Sequence, residues 1–244
     1  MTKTATKSTI TNNANYINKM FNKIATKYDL LNNLMTFGAH YNWKREAIKL
    51  TLAESTNPQI ALDLCSGTGD LALILNQYCP KTNITCIDNS NNMLNIAKAK
   101  VKKLNLQNIS FSLFDFEKLS GEISQSSVDI ITIGFGLRNL IDKEHSLENI
   151  YKLLKKGGVF TCIDLGHPTN TLWGKIFLSY FFNIIPKLGQ IFAYDKEAYT
   201  YLPISLNSWY KQDELKNVIL KTGFQKCHFK NILGGAVAIH IAVK

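Results

Sequence analysis

The stretch that decides the fold is Ala61-Leu-Asp-Leu-Cys-Ser-Gly-Thr-Gly-Asp70. A short apolar run meets two glycines one residue apart, Gly67 and Gly69, and a helical pattern opens at Asp70. A buried strand, a glycine turn and a helix N-terminus in that order build the ligand-binding corner of a doubly wound α/β sheet. The glycines let a ligand come close to the backbone. By spacing alone, Gly67-x-Gly69-x-x-Ala72 also meets the dinucleotide variant of the motif, which is weak evidence when it stands by itself.

The pattern continues on both sides of this corner. β-Branched runs at 60–64, 84–87, 109–114, 128–133 and 159–163 alternate with helical stretches at 70–78, 91–104 and 147–154. Such alternation predicts right-handed crossovers and a mostly parallel sheet. A helix at 212–222 and two strands, 224–230 and 236–243, joined through Gly234-Gly235, add an antiparallel C-terminal edge strand to a seven-stranded sheet. The expected organisation is a basic, disordered tail over 1–19 and one domain over 20–244. Within it lie an N-terminal helical cover (20–59), a ligand-binding core (60–165), a substrate lid (166–210) and a C-terminal helix and strand pair (211–244), and the first helical pattern of the cover runs over about Tyr16–Ala25.

Acids at the ends of the first three strands sharpen the ligand. Asp63 lies four residues before Gly67, where it suits a cationic ammonium group better than a pyrophosphate. Asp88 closes the second strand, 19 residues after Gly69, placed for ribose hydroxyls. Asp115 follows the third strand and can accept from an adenine amino group. Together the three fit S-adenosylmethionine better than NAD; taken singly, each reads equally as a turn or N-cap residue.

Composition bounds the rest. Of 244 residues, 45% are apolar and five are proline, which excludes a disordered or proline-rich protein. The net charge of +10 comes from 26 Lys and two Arg, Arg45 and Arg138, beside 24 Asn. A surface built to read phosphates would favour Arg. The charge therefore argues for an anionic membrane surface rather than for nucleic acid. The fourth strand is followed by Gly134-Phe-Gly-Leu and not by the Asn/Asp-Pro-Pro-aromatic block of a nucleic-acid methyltransferase. Five dispersed cysteines without a C-x-x-C pair imply a reducing compartment and no metal site. No apolar signal, Arg-rich transit sequence or spanning segment is present, so a cytoplasmic protein peripheral to the membrane is expected, or one of the plastid or another organelle if that organelle encodes it.

Two further blocks make the reading specific. Tyr28-Asp-Leu-Leu-Asn-Asn-Leu-Met-Thr-Phe-Gly38 with His40 and Trp43, and Gly134-Phe-Gly-Leu-Arg-Asn139, stand beside the glycine loop and a weaker Gly234-Gly-Ala-Val-Ala-Ile-His240. With these blocks the protein resembles the UbiE/MenG family of class I S-adenosylmethionine methyltransferases over about residues 20–243. The resemblance implies a Rossmann-like class I methyltransferase fold and C-methylation of a prenylated quinol. The preferred acceptor is 2-demethylmenaquinol or demethylphylloquinol, and a benzoquinol of ubiquinone synthesis is the alternative. It implies cofactor contacts at Thr68 with its loop, Asp88, Asp115, Phe116 and Gly134, the last a glycine where serine is common in the family. A homodimer is the default oligomer. An inactive scaffold with the same fold is the competing reading, and a dehydrogenase survives only if Asp63 and Asp115 are accidental.

Methylating a ring carbon requires a nearby hydroxyl to lose its proton. Arg138 is the expected stabiliser of the phenolate, or polariser of a water, because its guanidinium is too basic to act as a free base. Asn139 is expected to orient the ring oxygen, with Tyr28 and Asp29 as candidate partners of that oxygen or water. A surface ion pair of Arg138 with Asp142 is the bland alternative. His40 and His240 are read as packed or capping residues. The apolar segment 172–188, with Lys175, Ser179 and Asn183 on one polar stripe, is either a lid that receives the lipid tail or a buried core helix.

Overall fold

The computed structural model describes residues 14–118, 123–169, 171–185 and 205–244. Among them a seven-stranded sheet has the order β3-β2-β1-β4-β5-β7-β6. The strands are β1 Ile60–Leu64, β2 Asn83–Asp88, β3 Ile109–Leu113, β4 Val128–Gly134, β5 Leu154–Leu165, β6 Lys226–Ile232 and β7 Val237–Val243. β1 to β5 pair in parallel, whereas β7 runs antiparallel to both neighbours. The antiparallel strand expected at the C-terminal margin is therefore β7, inserted between β5 and β6, and β6 forms the outer rim.

Helices cover both faces: α1 Ala14–Thr36, α2 Ala39–Glu54, α3 Asp70–Tyr78, α4 Asn91–Lys103, α5 Lys143–Leu153, α6 Thr171–Ser179 and α7 Gln212–Lys221. Side chains alternate along each strand, so Leu62 and Leu64 join the core under α5 and α7, while Ala61 joins the one under α2, α3 and α4. The order reverses between β1 and β4, and a doubly wound sheet opens its ligand crevice at that switch. The glycine loop after β1 and the Gly134-Phe135-Gly136 turn after β4 meet there.

Three boundaries depart from the sequence expectation. α1 begins at Ala14, close to the helical pattern read from about Tyr16 but inside the stretch assigned to the tail, because Ile17, Met20 and Ile24 repeat at helical spacing and are buried. Residues 1–13 lie outside the described residues. α5 starts at Lys143 and not near 147, because Asp142 Oδ1 accepts from His145 N and caps it. The Lys-Lys-Gly-Gly stretch lies inside the 12-residue strand β5, which begins directly after α5.

The segment read as lid or core begins as α6 and continues as a wider π-helical turn over Tyr180–Ile184. Its polar stripe, Lys175, Ser179 and Asn183, is exposed, as are Leu172 and Ile176, so it is no buried core helix. Trp173 Nε1 donates to Leu233 O at 2.6 Å, and Tyr180 Oη donates to Met35 O at 2.8 Å. These bonds fix it across the β6–β7 turn and the C-terminal end of α1. Residues 186–204, the second half of the expected lid, lie outside the described residues.

Candidate active site

The local sequence builds the glycine loop through backbone geometry. Cys65, Gly67 and Gly69 all have positive φ, which carries the backbone from β1 into α3 within a few residues. A Cβ on Gly69 would lie 3.1 Å from Ala97 Cβ, so Gly69 serves the packing of the loop on α4 and does not line the crevice. The turn after β4 is similarly tight. Phe135, a non-glycine residue, has φ 56°, and a Cβ on Gly136 would lie 2.5 Å from Cys65 Cβ.

Three hollows converge on these two turns. A cleft of about 80 Å³ runs over Gly67, Asp88, Asp115, Phe116 and Gly134 beneath α1. A smaller one of about 30 Å³ is lined by Lys44, Asp63, Ser66, Thr68 and Asp70. A cavity of about 490 Å³, almost wholly apolar, lies between α1, α2 and α6 and is walled by Met20, Ile24, Met35, Phe177 and Phe181. Tyr28 and Phe135 line all three.

The acids behave differently according to their partners. Asp88 accepts from Gly67 N and Ser90 N, each at 2.8 Å. Burial raises its pKa against those backbone bonds. Asp63, on the strand face beside Thr132, accepts from Thr132 Oγ1 at 2.7 Å and Ala72 N at 3.3 Å. Burial outweighs both bonds and pushes Asp63 up to about 7. Asp70 stays below the ordinary carboxylate range: burial would raise it, but Lys44 at 2.7 Å and Lys100 at 2.9 Å hold it ionised.

The expected site residues separate into groups. Gly67, Asp88, Asp115, Phe116 and Gly134 line the cleft, and Asp63 and Thr68 line the small hollow. Arg138 reaches the large cavity, and Tyr28 stands at the junction. Asn139 lines the cleft and not the large cavity, and it donates to Phe135 O at 3.2 Å. Asp29 lines none of the three. Its carboxylate accepts from Thr68 at 2.6 Å and pairs with Lys100 at 2.7 Å, so it fastens α1 to the glycine loop. Asn18 donates to Asn89, and Asn92 N and Nδ2 donate to Asn22, completing the fastening.

Arg138 is not a surface partner of Asp142. It is buried, pairs with Asp164, donates to Phe135 O at 2.8 Å and reaches Ser205 Oγ at 3.4 Å. Residues that the sequence reading passed over are Phe135, Asp164 and Lys44. Phe135 alone carried a signal, a large residue between two glycines at a strand end. His40 lines the cavity wall with Nε2 3.0 Å from Asn33 Oδ1, and burial lowers it to about 4, so it is neutral near pH 7. His240 is lowered to about 4 by burial too, and its Nε2 bonds Gln212 O at 2.9 Å in a structural role.

These residues fit S-adenosylmethionine. Each Asp88 oxygen accepts one backbone bond and keeps a lone pair for a ribose hydroxyl. Met93, Phe116 and Leu140 give the same cleft apolar walls of the kind an adenine ring would need, and Asp115 lines it too. Ser66, which lines the small hollow, has its Oγ buried with the Cys86 thiol beside it. Lys44 and Asp63 both line that hollow, a cation and a carboxyl group whose ionised form a bound ammonium would favour, as an amino-acid zwitterion requires. Among the described residues no cluster could hold a metal ion.

Comparison with known proteins agrees with this geometry. The model of the ubiE/COQ5 methyltransferase family matches residues 9–244. The protein is 41% identical over 233 residues to the ubiquinone/menaquinone biosynthesis C-methyltransferase UbiE of Rickettsia prowazekii, covering 93% of this sequence and 92% of that one. It is 38% identical to the demethylmenaquinone methyltransferase of Leptospira interrogans, covering 95% and 93%. An S-adenosylmethionine-dependent methyltransferase of Thermotoga maritima superposes with a TM-score of 0.65 at 17% identity, over 93% of this protein and 99% of that one. The phosphoethanolamine N-methyltransferase 2 of Haemonchus contortus, solved with S-adenosyl-L-methionine, gives 0.62 at 16%, over 98% and 60%. Family match, fold and crevice converge: the protein belongs to the ubiE/COQ5 methyltransferase family and is an S-adenosylmethionine-dependent methyltransferase of class I fold.

Proposed function

We propose that this enzyme methylates a ring carbon of a prenylated quinol, with a naphthoquinol such as 2-demethylmenaquinol or demethylphylloquinol as preferred acceptor. The observation that carries this reading is the apolar cavity of about 490 Å³ that meets the cofactor cleft at Tyr28 and Phe135. A small polar acceptor would gain nothing from walls of Met20, Ile24, Phe177 and Phe181; an isoprenoid tail would. Menaquinone chemistry is common to the names of both relatives, which favours the naphthoquinol over the benzoquinol.

S-adenosylmethionine supplies, when bound, an electrophilic methyl on a sulfonium. The protein's own residues align the acceptor and exclude water. Tyr28 and Phe135 wall the point where acceptor and cleft meet. A ring carbon beside a hydroxyl becomes nucleophilic as the hydroxyl loses its proton. Arg138 lines the cavity while Asp164 lies behind it, so the positive end of this buried pair faces the acceptor and favours the phenolate. Fixed by Phe135 O and Asp164, the guanidinium does not have to reorganise as charge develops.

A membrane surface is the source of such an acceptor in this reading. Phe37 (92% exposed), Ile176 (55%) and Leu233 (46%) line the cavity from three separate elements, Leu172 (70%) is exposed beside Ile176 on α6, and interfacial helices present just such side chains. No described helix is long and apolar enough to cross a membrane.

The acceptor is tested by offering labelled S-adenosylmethionine with demethylmenaquinol and the benzoquinol analogue in parallel. We expect higher kcat/KM on the naphthoquinol. Equal or reversed values would remove the preference, and S-adenosylmethionine binding without turnover on either would favour the scaffold.

A further inference from the structure

The small hollow beside the glycine loop holds one cation, Lys44, and the role of that cation is unassigned by the mechanism above. Lys44 projects from α2, is 7% exposed, and is the only cationic residue among the described ones that line the hollow. It also lines the large cavity, so it stands in the wall between them. A buried ammonium with three donors is costly unless those donors are used. Among the described residues Lys44 Nζ has a single hydrogen-bond partner, Asp70 Oδ2 at 2.7 Å. Asp70 does not depend on it alone, because Lys100 donates to Asp70 Oδ1 at 2.9 Å and to Asp29 at 2.7 Å. Lys100 is thus spent between two carboxylates, while Lys44 keeps two donors at the hollow.

Around the same hollow lie Asp63 and the Thr68 hydroxyl, which is committed to Asp29. An α-amino acid end has one cationic and one anionic group. Asp63 answers the first, and without Lys44 no charged group answers the second. Resting on the cofactor reading given above, we propose that Lys44 binds the carboxylate of the amino-acid end of S-adenosylmethionine, and so positions the cofactor at the acceptor wall. The ammonium stands within an ion pair that tolerates a second anion, since Asp70 retains Lys100 when Lys44 turns towards the ligand. Binding the acceptor's phenolate oxygen is the competing use, because Lys44 borders both spaces.

Calorimetry without acceptor separates these uses, with S-adenosylmethionine and its decarboxylated analogue as the two probes. Lys44→Met should weaken S-adenosylmethionine about 10- to 100-fold, the loss expected of a charge-assisted hydrogen bond. The decarboxylated analogue should lose less than about threefold, having no anionic group to forfeit. The readout is a ratio within one protein, so general loosening of the fold cancels. Should the Met variant not fold, Lys44→Gln keeps the reach without the charge and should show the same selectivity at smaller size. Equal losses for both probes would make Lys44 a structural residue and overturn the proposal. Unchanged binding of both, with only the acceptor KM raised, would assign it to the phenolate and overturn it equally. Failure of the unmodified protein to bind S-adenosylmethionine would instead strike the cofactor reading itself.

Discussion

Arg138 and Asp164 form a buried pair whose removal one partner at a time is expensive. Arg138→Ala strands the Asp164 carboxylate and should cost about 3–5 kcal/mol of stability in urea unfolding. A paired Arg138→Met with Asp164→Leu should recover most of that loss and still turn over poorly, because the charge facing the cavity is gone. Wild-type turnover by the pair would take Arg138 out of the mechanism. Asp63 gives a second signature. Its folded pKa, about 7, lies above the unfolded carboxylate value, so the folded state keeps a proton that the unfolded state loses. Its contribution is fully present below about pH 4 and is lost as pH rises towards 7. Relative to Asp63→Asn, the natural protein should therefore lose roughly 2–4 kcal/mol between pH 4 and pH 7.5. A difference independent of pH would contradict the burial argument. The scarcity of arginine made Arg138 visible in the sequence; Asp164 and Lys44 gave no such signal, because a charge at a strand end or on a helix acquires its role only from what it faces in three dimensions.

At the level of elements, α6 and the π-helical turn after it present Phe177 and Phe181 to the cavity, while Phe182 points outward, 39% exposed. Phe177→Ser with Phe181→Ser should raise KM for a long-tailed quinol about tenfold or more, from the loss of two buried aromatic side chains, and leave a tail-less quinol nearly unchanged. Phe182→Ser should do neither when the substrate is held in detergent. Equal effects on both quinols would sink the lid. The element α1 makes a different prediction. Asn18, Asn22 and Asp29 fasten it over the cleft, so bound cofactor would lie beneath α1 and should leave it more protected. Hydrogen exchange across α1 should slow on binding S-adenosylhomocysteine, and Asp29→Asn should quicken dissociation; no change in either would leave α1 a static cover. The strands and α3, α4 and α7 were legible from periodicity and glycine placement. The length of α1 was not, because the helical pattern read over about Tyr16–Ala25 fades beyond it while the helix runs from Ala14 to Thr36. The orientation of α6 was equally hidden, since an aromatic run reads alike whether it lines a cavity or fills a core.

For the whole molecule, the net charge of +10 and the apolar rim at the cavity mouth belong to one account. In the proposed reading the lysines are drawn to an anionic bilayer and the rim residues would insert where the substrate resides. Vesicles rich in anionic lipid should sediment the protein more than neutral ones, less so at high salt, and Phe37→Ser with Ile176→Ser should release it without weakening S-adenosylmethionine binding. Equal recovery with both lipids would separate the charge from the membrane. The α/β architecture was readable because crossovers and the glycine loop are local, whereas the meeting of three hollows at Tyr28 and Phe135 depends on helices far apart in the sequence. The most direct test of that meeting point is the fate of a ¹³C-methyl group from S-adenosylmethionine, followed by NMR of the quinol product. A single new signal on a ring carbon next to a hydroxyl, dependent on both cofactor and tailed quinol, is the predicted result; a methyl on oxygen, or no labelled quinol at all from protein that binds the cofactor, would contradict it.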